Sequence, residues 1–153
     1  MTEQRVTHFR VTATVHARAQ EVFEVLTDPT RHKDFDGSGM LRGAVTTELL
    51  TEVGQVFEMN MDALPRGQYI TENHVRTLVP NREVSWMTGM GGRDPVGYWW
   101  GYEITPIDEH SCEVAFDYDW AVITSAKYLH LFPRISEADM HESLGHLQAL
   151  FAS

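Results

Sequence analysis

Rings recur at every second position in two stretches of this chain. Trp100 and Tyr102 lie in Gly97 to Thr105, and Phe116, Tyr118 and Trp120 lie in Cys112 to Trp120. Alternate residues of a strand share a face. Each stretch would therefore present indole or phenol rings on one side. Trp86 is positioned to join them from a neighbouring strand. Phe57, Met59 and Met61 alternate in the same way along Gln55 to Asp62, opposite Glu58, Asn60 and Asp62. One use of such a surface is to fill a core. The other is to wall a cavity for an apolar molecule. Tyr and Trp carry a polar group that seeks a partner when buried, and methionine is an adaptable filler suited to a pliable wall.

Proton-transfer chemistry has three candidates. His74 and Arg76 stand two apart on a long strand and share a face. If that face is inward, they could orient or protonate a carbonyl-bearing ligand; if outward, they are solvated surface groups. Tyr102 is the third candidate. Asp36 sits in the turn Asp36-Gly37-Ser38-Gly39, where an Asx-type turn is its expected role. No metal site is expected. His141 and His146 stand five apart rather than the four that align ligands on one helical face, and His110 with Cys112 lacks further ligands. No Gly-x-Ser-x-Gly elbow occurs. Gly89-Met90-Gly91-Gly92 lacks the strand–turn–helix setting of a phosphate loop and reads as a loop. No cofactor is expected.

Charge narrows the partners. The 153 residues include 12 Lys and Arg against 22 Asp and Glu, a net charge of −10. Nucleic-acid binding depends on cations that neutralise phosphates, and anionic membranes likewise attract basic segments. Both are expected to be absent. Protonating all eight histidines would bring −10 only to −2, a change that falls below about pH 6.5. The lone Cys112 cannot form an internal disulfide, which agrees with a cytoplasmic location. The start of the chain lacks a signal-peptide pattern, and no apolar run approaches the ~18 residues of a membrane helix.

These residues need elements to hold them. Val6 to Val15 reads as a strand. Ala19, Val22, Phe23 and Leu26 mark one face of a helix over Ala17 to Leu26, stopped at Asp28-Pro29. A short helical turn over Thr30 to Asp34 is expected next. Strands are then predicted at Leu41 to Leu50, Gln55 to Asp62, Tyr69 to Val79, Glu83 to Thr88, Gly97 to Thr105 and Cys112 to Trp120. The last two form a hairpin around Asp108-Glu109-His110. Thr124 to Leu131 has no clear period. Ser136 and Asp139 then make a capping pair, and Met140, Leu144, Leu147 and Phe151 recur at helical spacing. A helix from Glu137 to Ala152 would be about 24 Å long. The order is α+β in a single domain, residues 1–153: a curved antiparallel sheet of about seven strands around a long C-terminal helix. Met140 and Leu144 on that helix would face the sheet, where a gap between the two would be mostly apolar.

Four segments carry a family resemblance. They are Ala19 to Pro29 followed by His32 to Gly43, Val75 to Trp86, and Trp100 to Pro106. The chain resembles the helix-grip fold of the SRPBCC superfamily, which includes START lipid-transfer domains and polyketide cyclases/aromatases. The resemblance implies that fold and an internal apolar cavity. It places the Asp36 loop near the pocket mouth and brings over no catalytic motif. The expected activity is binding or carriage of a hydrophobic small molecule such as a polyketide, lipid or aromatic metabolite, by a monomer or homodimer. The alternative is a cyclase/aromatase or dehydratase using the same cavity, and a third option is a protein-interaction module.

Overall fold

The computed structural model describes residues 5–64 and 66–152. Seven antiparallel strands form one sheet: β1 His8–Val15, β2 Leu41–Ala44, β3 Val56–Ala63, β4 Gly67–Val79, β5 Glu83–Met90, β6 Trp99–Asp108 and β7 Ser111–Asp119. Their spatial order is β1-β7-β6-β5-β4-β3-β2. The first strand thus pairs with the last, and the others follow as a meander. The helices are α1 Ala19–Leu26, α2 His32–Phe35, α3 Ala126–Leu129 and α4 Glu137–Leu150, with a 3-10 turn at Pro29–Arg31. This is the helix-grip architecture expected from the element order.

The strands form where sequence alternation is cleanest. Trp100 faces Tyr118 and Tyr102 faces Phe116 across the β6–β7 pair, with the rings stacked at 3.7 Å and 4.3 Å between centroids. Stacked aromatic pairs add about 0.5–1.5 kcal/mol beyond their burial. The Asp108 side chain closes the hairpin by accepting from the His110 amide at 2.8 Å. At α4, Ser136 Oγ accepts from the Asp139 amide and the Asp139 carboxylate accepts from the Ser136 amide, both at 3.1 Å. The helix start therefore has the reciprocal cap read from the sequence.

The strand bounds shift from the predicted ones by one to three residues, and by more in β2. β2 stops at Ala44 rather than Leu50. Past that point the chain leaves the β3 ladder: Thr46 Oγ1 accepts from the Glu58 amide, and the Leu50 amide donates to the Thr27 carbonyl. β5 runs on to Met90, because Gly89 and Met90 still pair with Glu72 and Thr71 of β4.

The helix does not cover the sheet evenly. α4 meets the sheet mainly at β1, and packs against α2 at its other side. That second contact is close. The Gly37 amide donates to Ser143 Oγ at 2.8 Å, and a Cβ on Gly37 would lie 2.7 Å from the Ser143 backbone nitrogen and collide with the Asp139 carbonyl oxygen. Only a residue without a side chain lets the loop after α2 seat on α4. Gly37→Ala should therefore destabilise the protein by about 1–3 kcal/mol, the usual cost of overpacking. A urea unfolding midpoint equal to that of the parent would contradict this packing.

Candidate functional site

Between the inner face of β3–β6 and the α2 segment lies a cavity of about 140 Å³. Its apolar wall comes from the alternating strands. Phe57, Met59, Met61, Trp86, Trp100, Tyr102 and Phe116 all line it, as do Tyr98, Met90 and Phe35. Exposed Arg134 also lines it, so the cavity reaches the surface there. Tyr118, Trp120, Met140 and Leu144 lie outside the lining. They are fully or almost fully buried in the packed layer beside it. Tyr118 spends its hydroxyl as acceptor for the Arg134 amide at 3.0 Å, and burial raises its pKa.

His74 and Arg76 point to the outer face, opposite the cavity-lining Thr71 and Asn73. The Arg76 guanidinium lies 4.1 Å from the ring centroid of Trp99 and donates to Ser85 Oγ at 3.3 Å. Both lie on the outer face, where Arg76 is exposed but His74 Nε2 is enclosed without a hydrogen-bond partner rather than solvated, which leaves Tyr102 as the one candidate of the three that lines the cavity. A bulge between Val75 and Thr77 explains why the strand showed no clean alternation. Before the bulge the inner residues are Tyr69, Thr71, Asn73 and Val75; beyond it, Leu78 pairs with inner Val84.

The polar groups of the cavity are largely ones that strand periodicity did not single out. Thr71, Asn73 and Thr88 form a buried cluster on β4 and β5. Asn73 Nδ2 donates to the Phe57 carbonyl at 3.2 Å and to Thr71 Oγ1 at 3.3 Å, and Asn73 Oδ1 accepts from Thr88 Oγ1 at 2.8 Å. Every Asn73 atom is thereby satisfied. The Thr71 hydroxyl hydrogen has no acceptor among the described residues, so Thr71 can donate to a guest.

Opposite this cluster stands His32, buried and stacked on Trp86 at 5.2 Å. Its Nε2 is 2.7 Å from the Leu26 carbonyl oxygen. A carbonyl only accepts, so Nε2 carries the proton, and in the neutral ring Nδ1 holds a lone pair. Nδ1 has no hydrogen-bond partner among the described residues, and the ring lines the cavity. Burial lowers the His32 pKa, against opposing contributions from the Leu26 carbonyl, Asp28 and Asp36. Tyr102 is pushed well above its ordinary value, first by burial and then by the nearby Asp36 carboxylate. At the cavity's edge Asp36 is held by its own loop, accepting from the Ser38 amide at 3.2 Å and the Ser38 hydroxyl at 2.8 Å. It is both an Asx turn and a lining residue.

The resulting space is mostly apolar, with a neutral imidazole, three phenols, a carboxamide and four Ser and Thr hydroxyls on its walls. No cluster of three or more metal-ligating side chains occurs among the described residues, and none of their helices is long and apolar enough to cross a membrane.

Residues 6–152 match the family model described as polyketide cyclase / dehydrase and lipid transport. The chain belongs to that family and to the SRPBCC superfamily. It is 28% identical over 146 residues to the uncharacterized protein Rv0088 of Mycobacterium tuberculosis, covering 90% of this chain and 61% of that protein. The chain thus spans about three-fifths of the length of this curated relative. Among solved structures, a START superfamily protein from Mycobacterium smegmatis superposes with a TM-score of 0.69 at 11% identity, over 95% of this chain and 97% of that one. Protein Ms6760 from the same organism superposes with a TM-score of 0.68 at 16% identity, over 94% and 90%. At these identities the likeness is one of fold.

A neutral, buried His32 has a consequence for stability. Its folded pKa lies below the ordinary 6.5, so the unfolded chain takes up a proton that the folded chain refuses. The contribution is intact above about pH 6.5 and is lost progressively as pH falls toward the folded value. His32→Gln keeps an N–H for the Leu26 carbonyl but does not titrate. The stability difference between parent and variant should therefore shrink as pH is lowered from 7 to 5. A difference that stays constant across that range in urea titrations would show that His32 is not held neutral.

Proposed function

We propose that the cavity binds a small hydrophobic molecule that carries one or two uncharged oxygen functions. The observation behind this reading is the pairing of an apolar enclosure with Thr71 and His32 as unspent hydrogen-bonding groups. Burying an unpaired polar group costs on the order of 1–3 kcal/mol. A ligand oxygen or hydroxyl that meets these groups removes that cost, and a purely hydrocarbon guest does not. The volume is close to that of an engineered cavity of about 150 Å³ that accepts benzene. A single aromatic ring therefore fits as the walls stand. A longer lipid or polyketide needs Met59, Met61 and Met90 to swing aside, which an unbranched thioether does at low cost. The family description, which joins cyclases and dehydrases with lipid transport, agrees with an apolar guest.

A second reading is favoured by one observation, the free Nδ1 of neutral His32. A carbonyl compound held between His32 and Tyr102 meets a base and a hydroxyl donor. His32 Nδ1 would take a proton from the carbon next to the carbonyl, and the Tyr102 hydroxyl would hydrogen-bond the oxygen that gains electron density. This is the proton chemistry of a cyclase or dehydratase. In this reading His32→Gln abolishes turnover of such a substrate while its binding changes less than threefold. Equal turnover in parent and variant would leave the cavity as a carrier site.

Binding is tested by filling the space. Met61→Trp should lower affinity for a neutral phenol probe at least tenfold, measured by titration of tryptophan fluorescence. Tyr118→Phe should leave that affinity unchanged, because the ring lies outside the lining, and should cost about 1 kcal/mol of stability through the lost Arg134 amide hydrogen bond. If Met61→Trp binds the probe as well as the parent does, the cavity is not the ligand site.

A further inference from the structure

The cavity wall carries one carboxylate, Asp36, and one permanent cation, Arg134. Asp36 is spent on its own loop, where it accepts from the Ser38 amide and hydroxyl and from the Leu41 amide at 3.3 Å. Arg134 differs. It lies two residues before the Ser136 cap of α4 and is held by its backbone. Its amide donates to the Tyr118 hydroxyl, and the next residue, Ile135, is buried in the cavity wall. Its guanidinium has no hydrogen bond or ion pair among the described residues. Two acidic residues follow it closely in the chain. Asp139 is engaged in the α4 cap, and Glu137 makes no ion pair among the described residues.

Two phenols stand with this cation. Tyr69 and Tyr98 both line the cavity, and neither hydroxyl has a hydrogen-bond partner among the described residues. All three groups lie on the inner side of the sheet. Tyr69 shares the inner face of β4 with Thr71, and Tyr98 enters β6 in phase with Trp100 and Tyr102. The segment that carries Arg134 reaches over that face, with the Phe132 ring edge-on to Tyr98 at 4.8 Å between centroids. Burial raises the Tyr98 pKa; the Arg134 charge opposes that rise, and Tyr69 adds to it. Arg134 and Tyr69 are thus within electrostatic reach of the same phenol. Asp36 bears instead on Tyr102, where its charge adds to the larger effect of burial.

We infer that Arg134, with the Tyr69 and Tyr98 hydroxyls, receives the carboxylate end of a ligand whose apolar body fills the cavity. A guanidinium donates two parallel N–H bonds to a carboxylate, and each phenol O–H is a further donor. Arg134 is exposed, so the carboxylate keeps part of its hydration and escapes the cost of burying a charge. The balance of charge sets the ligand class. One cation, in a wall that also holds Asp36 and a chain of net charge −10, matches one negative charge and leaves a dianion such as a phosphate under-neutralised. The ligand is accordingly a monocarboxylic acid with an aromatic or acyl body. This inference rests on the cavity being the apolar site and adds a charged end to the ligand proposed for it.

A series of phenylalkanoic acids, graded in the number of methylenes between ring and carboxyl, tests it. Each acid is titrated beside its primary amide, which has the same shape and no charge. For at least one chain length the acid should bind the parent about fivefold tighter than its amide, as expected of one partly exposed charge contact. Arg134→Gln should abolish that advantage and leave the affinity of the amide unchanged, and Arg134→Lys, which keeps the charge but loses the fork, should fall between. Arg42→Gln makes the same change of charge on the outer face of β2, next to cavity-lining Leu41, and should keep the advantage. Circular dichroism and urea unfolding check that each variant stays folded. No acid advantage at any length overturns the inference and leaves the cavity reading intact. So does an advantage that survives in Arg134→Gln or is lost equally in Arg42→Gln. A phenylalkyl phosphate that binds tighter than the acid of the same length overturns the assignment to a carboxylate. Failure of every amide to bind overturns the cavity reading and this one with it.

Discussion

One mismatch of size governs this protein: a seven-stranded sheet has a single helix of useful length to cover it. Strands spaced about 4.8 Å apart make a surface on the order of 29 Å across. α4 has 14 residues, so it is roughly 21 Å long and about 10 Å wide. It cannot lie over all seven strands. The Gly37 contact and the β1 contact fix it at one side, with Met140, Leu144 and Leu147 fully buried there. The inner face of β3–β6 is then covered by smaller pieces: α2, the loop after it, Arg134 and Ile135 before α4, and Ser143 on it. Large rings close part of this gap from the sheet side, and what they leave is the cavity.

An unfilled apolar space is costly, since surrounding side chains lose contacts on one side. The molecule limits that cost with rings that brace each other across strands. Trp100 rests on Tyr118, Tyr102 on Phe116, and Trp86 on His32. Each pair couples a residue of the cavity wall to a second ring, in two cases one from an adjacent strand. The polar groups obey the same economy. Asn73 is satisfied completely by its neighbours, and His32 meets the Leu26 carbonyl through one nitrogen. Only single hydrogen-bonding functions remain for a guest. The interior is accordingly free of formal charge, with Asp36 and Arg134 kept to its edges.

Much of this was legible in the sequence, for a physical reason. Period-two alternation is strong where side chains of different character face the two sides of a strand, as in β3, β6 and β7, and those strands supplied most of the wall residues read from spacing. The same period could not separate wall from core, because Trp100 and Trp120 look alike along the chain. The helix position decides that difference: Trp120 lies near Phe9 of β1, outside the uncovered region. His32 was not visible because a four-residue helix has no period to reveal its buried side. Thr71, Asn73 and Thr88 were hidden differently. They are short polar residues on inner positions, where alternation rules expect apolar ones, and the β4 bulge scrambled the phase just beyond them.

The outer face completes the argument, since a sheet is one layer thick and its back is wet. Behind the cavity wall Gly101 has no side chain, and the Trp99 ring occupies that space, about 3.0 Å from where a Cβ would stand. Arg76 covers the ring from above. Further along, Asp117 is almost buried between Arg10 at 2.7 Å and His8 at 2.8 Å, pairing β1 to β7 on the side away from the cavity. Both partners are more than two-fifths exposed, so each contact is worth little alone. Their position matters more than their strength. They add a side-chain link to the backbone ladder between β1, on which α4 packs, and β7, whose rings brace the wall. His74 and Arg76, set apart in the sequence as possible acid and cation for a ligand, thus belong to the outer layer of the sheet, and Arg76 there shields the back of the wall it does not face.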